Sequence, residues 1–272
     1  MFEIIKEHVL KWTRKKQAVR IFVPDTSVLL KSFEHAKDVA PHELRGYAEM
    51  EIGRSIHLPF QEPLIDVYDS DPDDGKAMLF AAPSEEVNKM VYMLLDVSLE
   101  PEAADIRALC NIRLLEHMEL LSEEKTYLIA DWSINELSIS IFSHGHIEFL
   151  RYQSIETDFT QWEAHQNKED EFSYQFLFKG DVESYQMVVM DQVLEIDRMM
   201  NFFKFSLHKG EKTVDEMNLL GDHPLLQLIG KSLASNLGMS LTIIDDAMVQ
   251  QHFPQFKEDF ATVLGLALKE VN

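Results

Sequence analysis

The sequence holds a single cysteine, Cys110. One thiol cannot close a disulfide within the chain or build a thiolate metal cluster, so neither kind of staple is open to it. Long hydrophobic runs are missing too, with nothing approaching the ~18 apolar residues of a membrane span. The first residues, MFEIIKEHVLKWTRKK, mix both charge signs and lack the continuous apolar centre of a signal peptide. A cytoplasmic protein is expected, with any membrane association made through a partner. Glycine and proline are sparse, 10 and 9 in 272 residues, and fall mainly at the ends of apolar segments, which points to short linkers. Positive charge is scarce: 25 Lys plus Arg stand against 47 Asp plus Glu, a net charge of −22. Such a surface repels phosphate backbones and anionic lipid headgroups. The one dense basic cluster, Lys11, Arg14, Lys15, Lys16 and Arg20, reads as the solvated face of a helix.

What is present is an ordinary globular core. Apolar residues make up 46% of the chain, enough for one large domain or two moderate ones. A helix is expected over 2–15, then strands over 19–23 and 27–33 separated by the turn Pro24-Asp25. Pro41 opens a helix whose apolar positions Leu44, Ala48, Ile52 and Ile56 recur every four residues until Pro59 stops it. Residues 64–68 and 77–81 read as a hairpin around the acidic loop DSDPDDG, and Ser84 as the cap of a helix with Val87, Val91, Leu94 and Leu95 on one face. A short strand over 103–106 and a helix over 109–121 follow, then the polar segment Ser122-Glu123-Glu124-Lys125 as a hinge. Beyond it come strands over 126–130, 137–142 and 147–153, the last two joined by Ser143-His144-Gly145-His146. A polar stretch over 158–170 leads to a long helix from Asp181, with Val182, Tyr185, Val189, Val193, Ile196, Met200 and Phe203 as its buried stripe. A helix over 224–236, a strand over 240–244 and a helix over 256–270 close the chain. Strands and helices alternate in both halves, so the fold class is α/β with mixed sheets flanked by helices.

Several chemical motifs fail. There is no phosphate loop ending in Gly-Lys-Ser/Thr, no HExxH pair and no GxSxG elbow. Asp69, Asp71, Asp73 and Asp74 start like a calcium loop, but Asp74 stands where the sharp turn needs glycine and Phe80 where a bidentate glutamate should close the shell. His144 and His146 lack a convincing third ligand, so no metal is expected. Met187, Met190, Met199, Met200, Phe202, Phe203 and Phe205 read as core of the long helix rather than a groove. More informative is Ile129-Ala130-Asp131-Trp132-Ser133, a carboxylate at a strand end that leads into a strand–turn–strand.

At this point the chain resembles the PilM family, actin-like proteins of type IV pilus assembly, and more distantly FtsA. The likeness is carried by Arg20-Ile21-Phe22-Val23-Pro24 with Ser27-Val28-Leu29-Leu30-Lys31, and by Glu43-Leu44 through Leu58-Pro59-Phe60. It continues in Phe80-Ala81-Ala82-Pro83, in Glu100-Pro101 through Asp105, in Leu128 to Arg151, and in Gly265-Leu266-Ala267-Leu268-Lys269. The resemblance implies a two-lobed actin-like, ribonuclease H-like fold. A first lobe would span 1–122 with an α+β subdomain inserted at about 27–99, and a second lobe would span 123–272.

The departures from the family's pattern bear on activity. The family's opening Asp-x-Gly phosphate hairpin is missing, which implies an incomplete first-lobe sheet with an edge covered by a partner strand, a second copy or a repositioned element. Trp132-Ser133 stands where Ile-Gly is usual, and Gly221-Asp222 stands where the family has Gly-Gly near the nucleoside. Glycine there lets the backbone reach phosphate oxygens without a Cβ in the way. Asp131, Ser133 and Gly221 are therefore the remnants of a nucleotide site, and neither ATP hydrolysis nor a bound cofactor is expected. The resemblance implies a non-catalytic cytoplasmic scaffold under the inner membrane. It would hold the short cytoplasmic tail of a single-pass, PilN-like membrane protein, with Leu58, Pro59 and Phe60 at the groove edge and self-association possible. The alternative is an active actin-like ATPase with an unusual nucleotide site. A sugar or acetate kinase of the same superfamily would need a cleft base and intact phosphate loops, and neither is present.

Overall fold

The computed structural model describes residues 16–69, 74–166 and 174–270. The expected helix over 2–15 and most of the acidic hairpin loop lie outside the described residues. The chain divides into two compact units, one running through Arg113 and taking back the residues from Gly265, the other Leu114–Leu264.

In the first unit β1 (Gln17–Phe22) pairs in parallel with β5 (Leu99–Asp105), and among the described residues β1 has no other strand partner. Between them lie β2 (Leu29–Glu34), α1 (Leu44–Glu51), β3 (Pro63–Tyr68), β4 (Lys76–Pro83) and α2 (Ser84–Asp96). The three strands form an antiparallel sheet in the order β2-β4-β3. Its inward residues Phe33, Ile65, Ala77, Leu79 and Ala81 pack with Ala48 and Ile56 into one apolar cluster.

Two expectations fail here. The helix that should have run to Pro59 stops at Glu51, because Ile52 turns extended and Gly53 follows at φ +82°, its N–H donating to the Ile56 carbonyl. Ile56 is buried all the same, as part of a loop rather than a helix face. Ser84 does not cap α2: Pro83 holds the cap position without a side-chain bond, and Leu95 points to solvent.

Asp105, buried at the end of β5, gathers the unit's C-terminal segment. Its carboxylate meets Arg113 Nη2 at 2.8 Å and Lys269 Nζ at 3.2 Å. Arg113 also donates to the Gly265 carbonyl at 2.8 Å, and Arg20 donates to the carbonyls of Leu266 and Ala267. Carbonyls at a helix C-terminus lack intrahelical partners, and these arginines supply them. Arg20 is therefore a helix-capping residue on β1, not part of a solvated helix face.

The second unit is built on a five-stranded sheet in the order β12-β11-β6-β7-β8. Its strands are β6 (Thr126–Trp132), β7 (Glu136–Ser143), β8 (His146–Ser154), β11 (Glu216–Leu220) and β12 (Ser240–Ile243). β7 runs antiparallel to β6 and β8, while β11 runs parallel to both β6 and β12. The turn between β7 and β8 puts His144 and Gly145 at φ +52° and +83°, the twist a two-residue hairpin needs.

Helices complete the frame: α3 (Arg107–His117), α4 (Val182–Asn201), α5 (Leu226–Leu237), α6 (Asp246–His252) and α7 (Ala261–Ala267). The two ends of the second unit fall inside α3 and α7. α4 starts where expected, with the Asp181 carboxylate accepting the Ser184 N–H at 2.8 Å. Its face Tyr185, Val189, Val193, Ile196 and Met199 packs on Leu128, Ala130, Trp132, Leu137, Ile139, Met217 and Leu219. Val182, expected in the stripe, is exposed, and so are Met187, Phe202 and Phe205, whereas Phe203 is buried. The stretch over 158–170, expected to be merely polar, holds β9 (Trp162–Gln166), which pairs antiparallel with β10 (Tyr174–Phe178) beyond it. α6 was not expected, and α7 is shorter than the helix expected over 256–270.

Candidate functional site

Asp131, Ser133 and Gly221 come together at the carboxyl ends of β6 and β11, where Asp131 pairs with Leu220 across the two strands. Open α/β sheets bind ligands at such ends. The local bonding, however, is turned inward. Asp131 is 1% exposed, and its carboxylate accepts from Thr262 Oγ1 at 3.1 Å. Ser133 is half-buried, and its backbone N–H donates to the Glu136 carbonyl at 2.9 Å. The turn carbonyls of Ile134 and Asn135 accept from Thr157 Oγ1 and the Ile155 N–H. Gly221 sits at φ +126°, and a Cβ there would collide with the Trp132 backbone. The missing side chain thus serves strand packing.

The start of α5 shows the same inward bonding. A helix N-terminus binds anions through free N–H groups. Here Leu225 N–H donates to His223 Nδ1 at 3.0 Å, Leu226 N–H to the His223 carbonyl, and Leu228 and Ile229 N–H to the Leu225 carbonyl. Because Nδ1 accepts, the imidazole proton is on Nε2, which donates to Tyr185 Oη at 2.6 Å. Trp162 packs edge-on against both rings, and Phe178 lies 4.9 Å from Trp162. Burial lowers His223 to about 4 and raises Tyr185 to about 12, so both groups are neutral at pH 7.

Around these strand ends the charge is negative. Asp245 caps α6 by accepting the Met248 N–H, while Asp246 and Glu258 exchange backbone-to-carboxylate bonds of 2.9 Å. Burial first, then Asp246, raises Glu258; burial first, then Asp222 and Asp246, raises Asp259. Among the described residues no three His, Cys, Asp or Glu are placed to hold a metal ion.

In the first unit Leu58 and Phe60 are half-buried against the apolar cluster of the inserted sheet, and Pro59 is exposed. A shallow open cleft of about 450 Å³ runs along the β2 edge, lined by Lys31, Ser32, Phe33, Glu34, Ser55, Ile56 and Lys76. Lys31 Nζ donates to the His57 carbonyl at 3.1 Å across it. The sheet's other face carries an apolar group beside the polar residues Ser32, Glu34, Asp66 and Lys76. Leu30 pairs with Phe80, Tyr68 with Met78, and Leu64 with Ala82. Leu64 and Tyr68 are 42% and 43% exposed, and Leu30, Met78 and Phe80 are half-buried.

The family described as type IV pilus assembly protein PilM matches residues 1–271. The chain belongs to that family. Among solved structures, the PilM-PilN type IV pilus biogenesis complex superposes with a TM-score of 0.73 at 18% identity, covering all of this chain and 84% of that one. The cytoplasmic domain of EpsL, an inner-membrane component of the type II secretion system of Vibrio cholerae, gives 0.50 at 9% identity, covering 100% and 82%. No match was found among curated proteins. The fold is the mixed α/β actin-like fold.

The residues expected at a nucleotide site, Asp131, Ser133 and Gly221, are brought together; the Asp131 carboxylate and the Ser133 N–H bond internally, and Gly221 packs against the Trp132 backbone. Sequence reasoning missed the outward sheet face, although the signal was present. In β4, KAMLFAAP, both alternating sets are apolar, which marks a strand with two apolar faces. It also missed His223 and Trp162, whose partners lie far away in sequence.

Proposed function

We propose that this PilM-family protein is a non-catalytic scaffold. It would sit in the cytoplasm beneath the inner membrane and hold the short cytoplasmic tail of a single-pass, PilN-like membrane protein. The observation that carries the reading is the outward face of β2-β4-β3, where Leu30, Phe80, Met78, Tyr68 and Leu64 form an apolar surface across the strands, with Asp66 set between Leu64 and Tyr68 and Ser32 opposite Met78. Surfaces of this kind take extended or amphipathic segments, with apolar anchors offsetting the cost of ordering the peptide. Of the expected groove edge Leu58, Pro59 and Phe60, Leu58 and Phe60 pack against the inward cluster on the other side of the sheet, and Pro59 is exposed. A net charge of −22 would steer a basic tail toward it. The His223 ring bond at the start of α5, the buried Asp131 and the acidic surroundings support a protein that works without nucleotide.

Titration calorimetry with a synthetic peptide of the PilN-like tail tests this, wild type beside Phe80→Asp and Leu64→Asp, with folding checked by circular dichroism. We expect saturable 1:1 binding that either substitution weakens tenfold or more. Folded variants that bind as tightly as wild type would overturn the assignment of the face.

A further inference from the structure

We infer that β2 receives an extended segment of the partner as a fourth strand of the β2-β4-β3 sheet. The inference rests on the reading above, that the tail binds this sheet, and adds how the tail is held. β2 and β3 are the two edges of the sheet. The His35 N–H donates to the Gly75 carbonyl at 2.9 Å, which sets the phase of the ladder. In an antiparallel pair every second residue bonds the neighbouring strand, and the residues between turn their N–H and C=O groups away. Leu29, Lys31 and Phe33 therefore bond β4, while Leu30, Ser32 and Glu34 point theirs off the edge. Among the described residues no backbone group bonds to those of Leu30, Ser32 or Glu34.

The opposite edge is closed. On β3 the same phase turns Pro63, Ile65 and Val67 outward. Pro63 has no N–H to offer, and the Val67 N–H donates to Asp66 Oδ1 at 3.0 Å. Proline and locally satisfied donors keep foreign strands off an edge. β2 has neither. Along it lies the cleft of about 450 Å³, with Ser32 and Phe33 on one side and Ser55 and Ile56 on the other. With strands about 4.8 Å apart, a sheet about 10 Å thick and about 3.3 Å per residue, that volume takes about three extended residues. Lys31 reaches across it to the His57 carbonyl at 3.1 Å, an exposed bond that a carbonyl of the incoming strand replaces in kind.

The edge also selects the segment. Side chains of a strand beside β2 alternate between the two faces of the sheet. On the outward face, the residue opposite Leu30 is apolar and extends the group that Leu30 makes with Phe80. On the inward face, the residue opposite Phe33 is apolar and lies over Phe33 and Ile56, and the residue opposite Lys31 is not basic. Main-chain bonds supply the affinity and these alternate positions the selectivity.

Calorimetry with synthetic tail peptides is the test. Two peptides carry N-methyl groups on alternate residues, one in each phase. Only one phase turns its N–H groups toward β2, so we expect that peptide to lose tenfold or more in affinity and the other to bind like the unmethylated tail. Ser32→Pro removes an N–H that points off the edge and leaves the β4 ladder whole. It should stay folded by circular dichroism and weaken the tail tenfold or more, whereas Ser32→Ala should bind as wild type does. Methylated peptides of equal affinity, or a folded Ser32→Pro that binds as tightly as wild type, would overturn strand addition. If Phe80→Asp still weakens the tail in that case, the sheet face holds it without the edge. A tail that does not bind the wild type would overturn both readings.

Discussion

At Gly221 one absent carbon atom decides how closely two strands meet. Its φ of +126° and its contact with the Trp132 backbone leave no room for a Cβ. Gly221→Ala should therefore cost about 2 kcal/mol or more, read from the urea unfolding midpoint. The effect should appear with no ligand present, because the glycine serves packing. At His223 burial sets the pH response. The ordinary imidazole value near 6.5 falls to about 4 in the fold, so the unfolded chain takes up the proton first as pH drops. Stability from this residue is full above pH 6.5 and is lost on the way down to about 4, on the order of 3 kcal/mol in all. Glu148 acts lower on the scale. Burial pushes its carboxyl up, but hydrogen bonds from His146 and Lys212 and the charges of Lys212 and His208 outweigh burial and leave it at about 2. Its contribution is lost between about 4.5 and 2. The Glu148 hydrogen bond raises His146, which adds stability below 6.5 and so partly offsets the His223 loss. Unfolding free energies at pH 7.5 and 4.5 should differ less in His223→Asn than in wild type.

Among the elements, the β9–β10 ribbon depends on few contacts. Two-stranded ribbons are marginal alone in water. This one is held by Trp162 and Phe178 against Tyr185 and His223. Trp162→Ala should speed amide exchange at Trp162–Gln166 and Tyr174–Phe178 while leaving the β6–β7 amides protected. The ribbon was not read from the sequence because its strands are short and mostly face solvent, although Trp162-Glu163-Ala164-His165 alternates and Tyr174, Phe176 and Phe178 recur at every second residue. α4 was legible because its core contacts repeat at helical spacing, and the exposure of Met187 and Phe202 shows where counting methionines and phenylalanines as core overreached. α1 was overdrawn because Ile52 and Ile56 keep helical spacing through a turn that Gly53 takes out of helix. The strand-end position of Asp131 could be read locally. Its burial could not, since Thr262 reaches it from 131 residues away.

Across the whole molecule, the charge of −22 and the internally bonded strand ends favour the same reading, a protein that binds a basic tail and leaves nucleotide alone. Tail affinity should fall steadily between 0.05 and 0.5 M salt, since steering and rim pairs are screened over a Debye length of about 10 Å at 0.1 M. A tail held only by apolar anchors would be indifferent to salt. The resemblance of several short segments, weak one by one, carried the fold because their order spans the chain, and the family match covers residues 1–271. Binding surfaces were less legible, because a surface is assembled across strands whose register no local segment reveals. The decisive measurement is a thermal-shift titration of the chain with Mg-ATP. A ligand at one hundred times its dissociation constant adds about 2.7 kcal/mol, a rise of roughly 5 °C or more for a chain of this size. We predict an unmoved midpoint at millimolar Mg-ATP, whereas a saturable rise of that order would contradict a scaffold that works without nucleotide.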